Sequence, residues 1–176
     1  MDPDPIGSLL NFIVFDSALA LKIAVLILLL ICSALISGSE VAFFSLSPTD
    51  IEDLKQDNGK ASQRILQLKE MPRTLLATIL ISNNFINIGI VVLSYFIFGK
   101  AMPPEVLEGW AARVGDMVTL PISVEYLAWI TENAIKVVGV TFLLVLFGEV
   151  APKVYANLNN VKLAKTMAGT LNILNK

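Results

Sequence analysis

Three clusters of oxygen-bearing residues interrupt an otherwise apolar sequence. Ser33, Ser37 and Glu40 recur at i, i+4 and i+7, which places them on one face of a helix. Asn83 and Asn87 lie four apart, with Ser82 and Asn84 beside them. The third cluster is Gly148-Glu149-Val150-Ala151-Pro152, where a glycine and a proline bracket a carboxylate and predict a helix break. All three sit within or at the end of long apolar runs, where polar side chains are costly and functional by default. A break exposes backbone carbonyls, and at membrane depth these survive only when buried in protein or lining a cavity. The Gly148 carbonyl, the Glu149 carboxylate, two Asn side-chain oxygens and a Ser hydroxyl would make an all-oxygen cage. Such cages suit hard cations, Mg2+, Ca2+ or Na+. A single carboxylate among neutral oxygens compensates an ion weakly, which favours a site that releases its ion over a permanent structural one. Broken helices that offer carbonyls to a midplane ion are a general transporter device. Periodicity does not choose the ion.

Each cluster also has a structural reading. Ser33 and Ser37, as small residues, let helices approach closely, and the asparagines can act as interhelical hydrogen-bond glue worth roughly 0.6–2 kcal/mol each. Glu40, followed by Phe43 and Phe44, reads as an interfacial residue. Two asparagines on one stripe, together with a glutamate at a break, weigh towards a site.

Composition removes the competing chemistries. The chain of 176 residues has no histidine and one cysteine, Cys32, so imidazole sites, His triads, thiolate zinc sites and disulfide frameworks are excluded. No nucleophile has an adjacent base, leaving a Glu40–Glu149 carboxylate pair as the sole route to a membrane enzyme. The basic residues are scattered and no glycine-rich phosphate loop is present, so nothing suggests nucleic acid. Only 16% of residues are charged, against 55% hydrophobic. Soluble domains carry about 25% charge. With a mean hydropathy of +0.72, the class is integral membrane protein.

The elements that must position the clusters are three spans. Ile23 to Ser39 is uncharged and its apolar character runs on to Leu46. The acidic stretch before it and the lack of a small-residue cleavage site favour a retained span over a signal peptide. Thr74 to Gly99 is uncharged, with Pro72 suited to a first helical turn and Arg73 to a membrane-end anchor. The third uncharged run, Val137 to Gly148, is short of the roughly 20 residues a span needs. It crosses only if Lys136 snorkels at one end and Glu149 lies at membrane depth; the other reading is a buried or re-entrant helix.

Lysine and arginine set the orientation. Lys55, Lys60, Arg64, Lys69 and Arg73 separate spans one and two, and Lys153, Lys162, Lys165 and Lys176 follow span three. Between spans two and three lie only Lys100 and Arg113 among five acidic residues, including Glu108. The expected topology puts the N-terminus outside and the C-terminus in the cytoplasm of a multi-pass cell-membrane protein. Ser47, Pro48 and Asp50 predict a helix start, Asn58-Gly59 its end, and Lys60 to Glu70 a second amphipathic helix. Val124 to Ile130 suggests a short interfacial helix with Tyr126 and Trp129 at headgroup level. The fold class is therefore all-α integral membrane, three transmembrane helices plus juxtamembrane amphipathic helices. Residues 1–152 form the three-span domain, including juxtamembrane helices 48–71 and an outer loop 99–131. Residues 153–176 form a cytoplasmic amphipathic helix, striped by Val154, Leu158, Val161, Met167, Leu171 and Leu174, that is expected to lead into soluble domains.

The segments ISGSEVAFFSLSP (36–48), ISNNFINI (81–88) and LFGEVAPKVYA (146–156), in this order and topology, resemble the transmembrane domain of the CNNM/CorC magnesium transporters. The resemblance covers roughly Leu21 onward, apart from the outer loop. It implies a homodimer of three-span protomers with a juxtamembrane helical belt. Each protomer would hold a dehydrated Mg2+, exported against Na+ influx. By motif position it implies ligands from Ser37, Asn83, Asn87, Gly148 (carbonyl) and Glu149, with Ser33 an additional member. Full-length relatives carry CBS domains that bind ATP; this sequence has none. The alternative function is a divalent-cation sensor or scaffold that binds the ion without moving it.

Overall fold

The computed structural model describes residues 17–101, 109, 113 and 123–175. Most of the expected outer loop, 102–122, and the first 16 residues lie outside that set. Every element among the described residues is helical. Helix α1, Ser17–Phe44, is followed by α2, Pro48–Gln56, α3, Lys60–Glu70, and α4, Pro72–Ala101. A composite helix, α5, then runs without interruption from Val124 to Leu158, and α6 is Asn160–Leu174. Helices α1, α4 and α5 are each long and apolar enough to cross a membrane.

Local chemistry sets the boundaries. Ser47 and Asp50 form a reciprocal capping box, and Pro48 occupies the first turn of α2. Such a cap contributes about 1 kcal/mol. Asp57 ends α2, and its carboxylate accepts from the Gly59 amide (2.9 Å), from Ser62 Oγ at the start of α3 (2.7 Å) and from Lys165 Nζ on α6 (2.7 Å). Asn159 leaves helical geometry (φ −134°, ψ 40°) and separates α5 from α6. The Asn160 amide secures that turn by donating to the Ser45 carbonyl at 3.2 Å and to Asp50 at 3.4 Å.

The hydrophobic core sits at one end of the bundle. Phe43 of α1, Leu54 of α2, Ile65 and Leu68 of α3, Leu75 of α4 and Leu171 of α6 are buried there together. Helix α6 folds back along α1 and α3, and Asn175 accepts a hydrogen bond from Thr78 at the foot of α4 (3.0 Å). Helices α2, α3 and α6 thus form a belt around the feet of the spans. Beyond the belt the spans expose large apolar residues such as Leu28, Phe85 and Phe142. That is the pattern of helices solvated by lipid rather than water.

Three local expectations change. Gly148 to Pro152 does not break the helix: residues 144–150 make a π-helical turn and Ala151–Leu158 continues as α-helix. Val124 to Ile130 is not a separate interfacial helix but the first turns of α5, with Tyr126 and Trp129 stacked at 5.9 Å. The stripe expected over 153–176 divides at Asn159. Val154 and Leu158 are exposed, whereas Met167 and Leu171 are buried against the belt.

Candidate cation site

Helix α1 brings its serines to the bundle interior, where Ser33, Ser37 and Ser39 are all buried. A helical serine commonly returns its hydroxyl to the carbonyl four residues back, and Ser39 does so to Leu35 at 2.6 Å. Ser33 reaches across to α4 instead. Its Oγ lies 2.8 Å from Asn87 Oδ1 and 3.2 Å from Asn83 Oδ1, so one hydroxyl proton faces two carbonyl oxygens. The Asn87 amide in turn donates to Glu149 Oε1 on α5 at 3.2 Å. Four side chains from three helices are thereby linked in one network.

Ser37, one turn along α1 from Ser33, has a buried hydroxyl with no hydrogen-bond partner. A buried, unsatisfied hydroxyl costs about 1–3 kcal/mol, and a cation is one agent that would satisfy its lone pairs. Gly148 packs directly against Ser33: a β-carbon built on it would fall 3.0 Å from Ser33 Oγ, so only glycine fits without displacing that hydroxyl.

Helix α5 is shaped at this point by Pro152. Proline has no N–H, so the Gly148 carbonyl loses the donor it would meet in an α-helix. The π-helical turn over Leu144–Val150 absorbs the misfit, and the Ala151 N–H bonds to Leu146 O, five residues back. π-turns inside α-helices recur at functional sites. The proline signal was legible in the sequence, but it produces a widened turn and not a break.

The sequence-derived set is thus largely assembled. Asn83 and Asn87 meet Ser33, Asn87 meets Glu149, and Gly148 abuts Ser33. Ser37 lies buried on the same face of α1. Glu40 stands apart from the network and pairs with Lys153 at 3.0 Å, both partly exposed. Asn84 is exposed on α4 and takes no part. Nearby, Gly38 lets α1 approach the α5–α6 junction, since a β-carbon there would meet Leu163 Cδ2 at 2.9 Å and the Pro152 carbonyl at 3.3 Å. At the far end of α5, Lys136 pairs with Glu132 and lies 4.8 Å from the centre of the Tyr95 ring.

The donor set is one carboxylate with neutral oxygens, and among the described residues no group of three or more His, Cys, Asp or Glu is placed to hold a metal ion. That chemistry suits a hard cation and does not suit a transition metal. Residues 24–176, which hold all three motifs, match the family model of the Cyclin M transmembrane N-terminal domain, CNNM. The chain belongs to the CNNM family. Over 64 residues it is 41% identical to the UPF0053 protein of Haemophilus influenzae, a match covering 36% of this chain and 15% of that relative. The chain thus spans only a small part of the relative's length. CNNM membership and three span-length apolar helices make it a multi-pass membrane protein of a transport-related family. The polar network of this CNNM domain lies where the three spans meet, on the belt side of their apolar outer halves.

Proposed function

We propose that this CNNM domain is a secondary transporter that exports Mg2+, driven by Na+ influx, through an all-oxygen site of Ser33, Ser37, Asn83, Asn87, Gly148 and Glu149. The observation that carries the reading is the convergence of Ser33, Asn83, Asn87 and Glu149 oxygens from three spans in one partly buried network. The free hydroxyl of Ser37 and the Gly148 carbonyl deprived of its α-helical donor support it. Mg2+ is the transported substrate and Na+ the coupling ion. A cage with one carboxylate holds a divalent ion loosely enough to release it. In this reading the belt is cytoplasmic, the N-terminus is outside, two copies of the chain assemble as a homodimer, and ATP acts only through CBS domains.

Flux tests the proposal. Proteoliposomes containing the chain and a trapped Mg2+ indicator are expected to move Mg2+ when a Na+ gradient is imposed. Calorimetric Mg2+ binding without flux would replace the transporter by the ion sensor, and absence of binding would remove the site.

A further inference from the structure

We infer that Leu30, Ile90 and Leu144 form an apolar gate. It separates the site from the membrane face opposite the belt, and Ser94 is the first polar station beyond it. The inference rests on the transport reading above. Each span carries one of these residues about a turn from its site residue, on the side away from the belt. Leu30 lies three before Ser33, Ile90 three after Asn87, and Leu144 four before Gly148. Ile90 and Leu144 are 2% and 8% exposed. With Leu26, Ser94 and Val140 they line a cavity of about 50 Å³. A water needs roughly 10–15 Å³ of such space, so there is room for a few waters at most and not for a Mg2+ ion with a full octahedral hydration shell. Its walls, Phe98 included, are apolar apart from Ser94, and apolar constrictions of this kind close by excluding water. Ser94 is seven residues from Asn87, on the same stripe of α4, and is buried.

The opposite side of the site contrasts with this. Towards the belt come the unpartnered Ser37 hydroxyl and then the Glu40–Lys153 pair, whose side chains are 31% and 39% exposed. Polar groups therefore continue from the site towards the belt, while a layer of apolar side chains closes the other direction. Parting that layer would take an ion from Asn87 to Ser94.

Passive flux and chemical access test the gate. In proteoliposomes without a Na+ gradient, Ile90→Ser and Leu144→Ser are expected to raise Mg2+ leak about tenfold, because a hydrated constriction no longer excludes the ion. Their Mg2+ affinity in detergent is expected to stay within about twofold of the unsubstituted chain, since no proposed ligand changes. Retained affinity with unchanged leak overturns the gate. An unsubstituted chain that binds no Mg2+ overturns the transport reading instead, and that is measured first. If the serine variants do not fold, access decides. In nanodiscs and a Cys32→Ser background, Ser94→Cys is expected to react with a water-soluble thiol reagent about 100-fold more slowly than Lys153→Cys, because reactivity follows exposure. Similar rates at the two positions overturn the gate.

Discussion

Glu149 brings the only carboxylate hydrogen-bonded to the Ser33–Asn83–Asn87 group among the described residues. Glu149→Gln keeps the size and one carbonyl oxygen but removes the charge that would compensate a desolvated cation. It is expected to abolish Mg2+ binding and transport without unfolding the chain, as read by calorimetry and a thermal melt. Glu40→Gln should do less, because Glu40 pairs with Lys153 outside the network. A larger loss in Glu40→Gln would move the site along α1. Asn83→Ala and Asn87→Ala should each weaken Mg2+ affinity; glue alone would cost about 1 kcal/mol of stability and leave affinity unchanged. Gly148→Ala should also weaken binding, since its β-carbon would crowd Ser33 Oγ. Spacing singled out Asn83 and Asn87, because an i, i+4 repeat within an apolar run survives in sequence, and the bracketing by Gly148 and Pro152 singled out Glu149. Ser33 was harder to rank. It is the residue that joins α1 to α4, but its hydroxyl could equally have bonded its own helix, as Ser39 does. That choice depends on what faces it across the bundle, which local sequence does not contain.

At the scale of elements, the third uncharged run was too short by itself and reaches span length only within the longer helix 125–158, whereas the first two spans and the start and end of α2 followed from apolar run length, Ser47-Pro48 and Asn58-Gly59. The π-turn did not, because the five-residue hydrogen-bond pattern is a compromise between Pro152 and the packing of Gly148 and Gly38, and only the first is a local signal. The turn gives a prediction. Pro152→Ala restores an N–H that can bond the Gly148 carbonyl within an ordinary α-helix. It should raise thermal stability by about 1 kcal/mol, the net worth of one hydrogen bond. It should also weaken Mg2+ binding several-fold by occupying a proposed ligand; unchanged affinity would remove that carbonyl from the site. The belt is pH-sensitive in one direction. Donation from Lys165, Ser62 and the Gly59 amide holds the Asp57 carboxyl well below its ordinary value of 3.8, and Ser47 lowers Asp50 likewise. A depressed folded-state pKa stabilises fully above the unfolded value and is lost as the pH falls through the folded one. Asp57→Asn should therefore speed amide exchange over residues 57–62 at neutral pH, and the difference from the unsubstituted chain should shrink only below about pH 3.8. A difference that stays constant into strong acid would mean that the Asp57 charge is not what holds α6 to the α2–α3 loop.

For the whole molecule, burial is concentrated at the belt, whereas the spans turn Ile81, Phe85, Ile88, Val137 and Phe142 outward. Lipid accepts those side chains but does not accept a free amide. Asn84 lies among them on α4, exposed and without a side-chain hydrogen bond among the described residues. With Asn87, Ile88, Val91 and Val92 it borders a groove of about 380 Å³ that runs beside the site. An uncovered amide at that depth costs several kcal/mol, and a second copy of the chain laid along α4 would remove both the groove and the unpaired donor. Light scattering in mild detergent should therefore report two protomers per particle, and Asn84→Trp, which fills the groove, should shift the mass towards one. A single protomer that still transports Mg2+ would show that the site needs no partner, and that Asn84 is satisfied by lipid headgroups or water drawn into the groove.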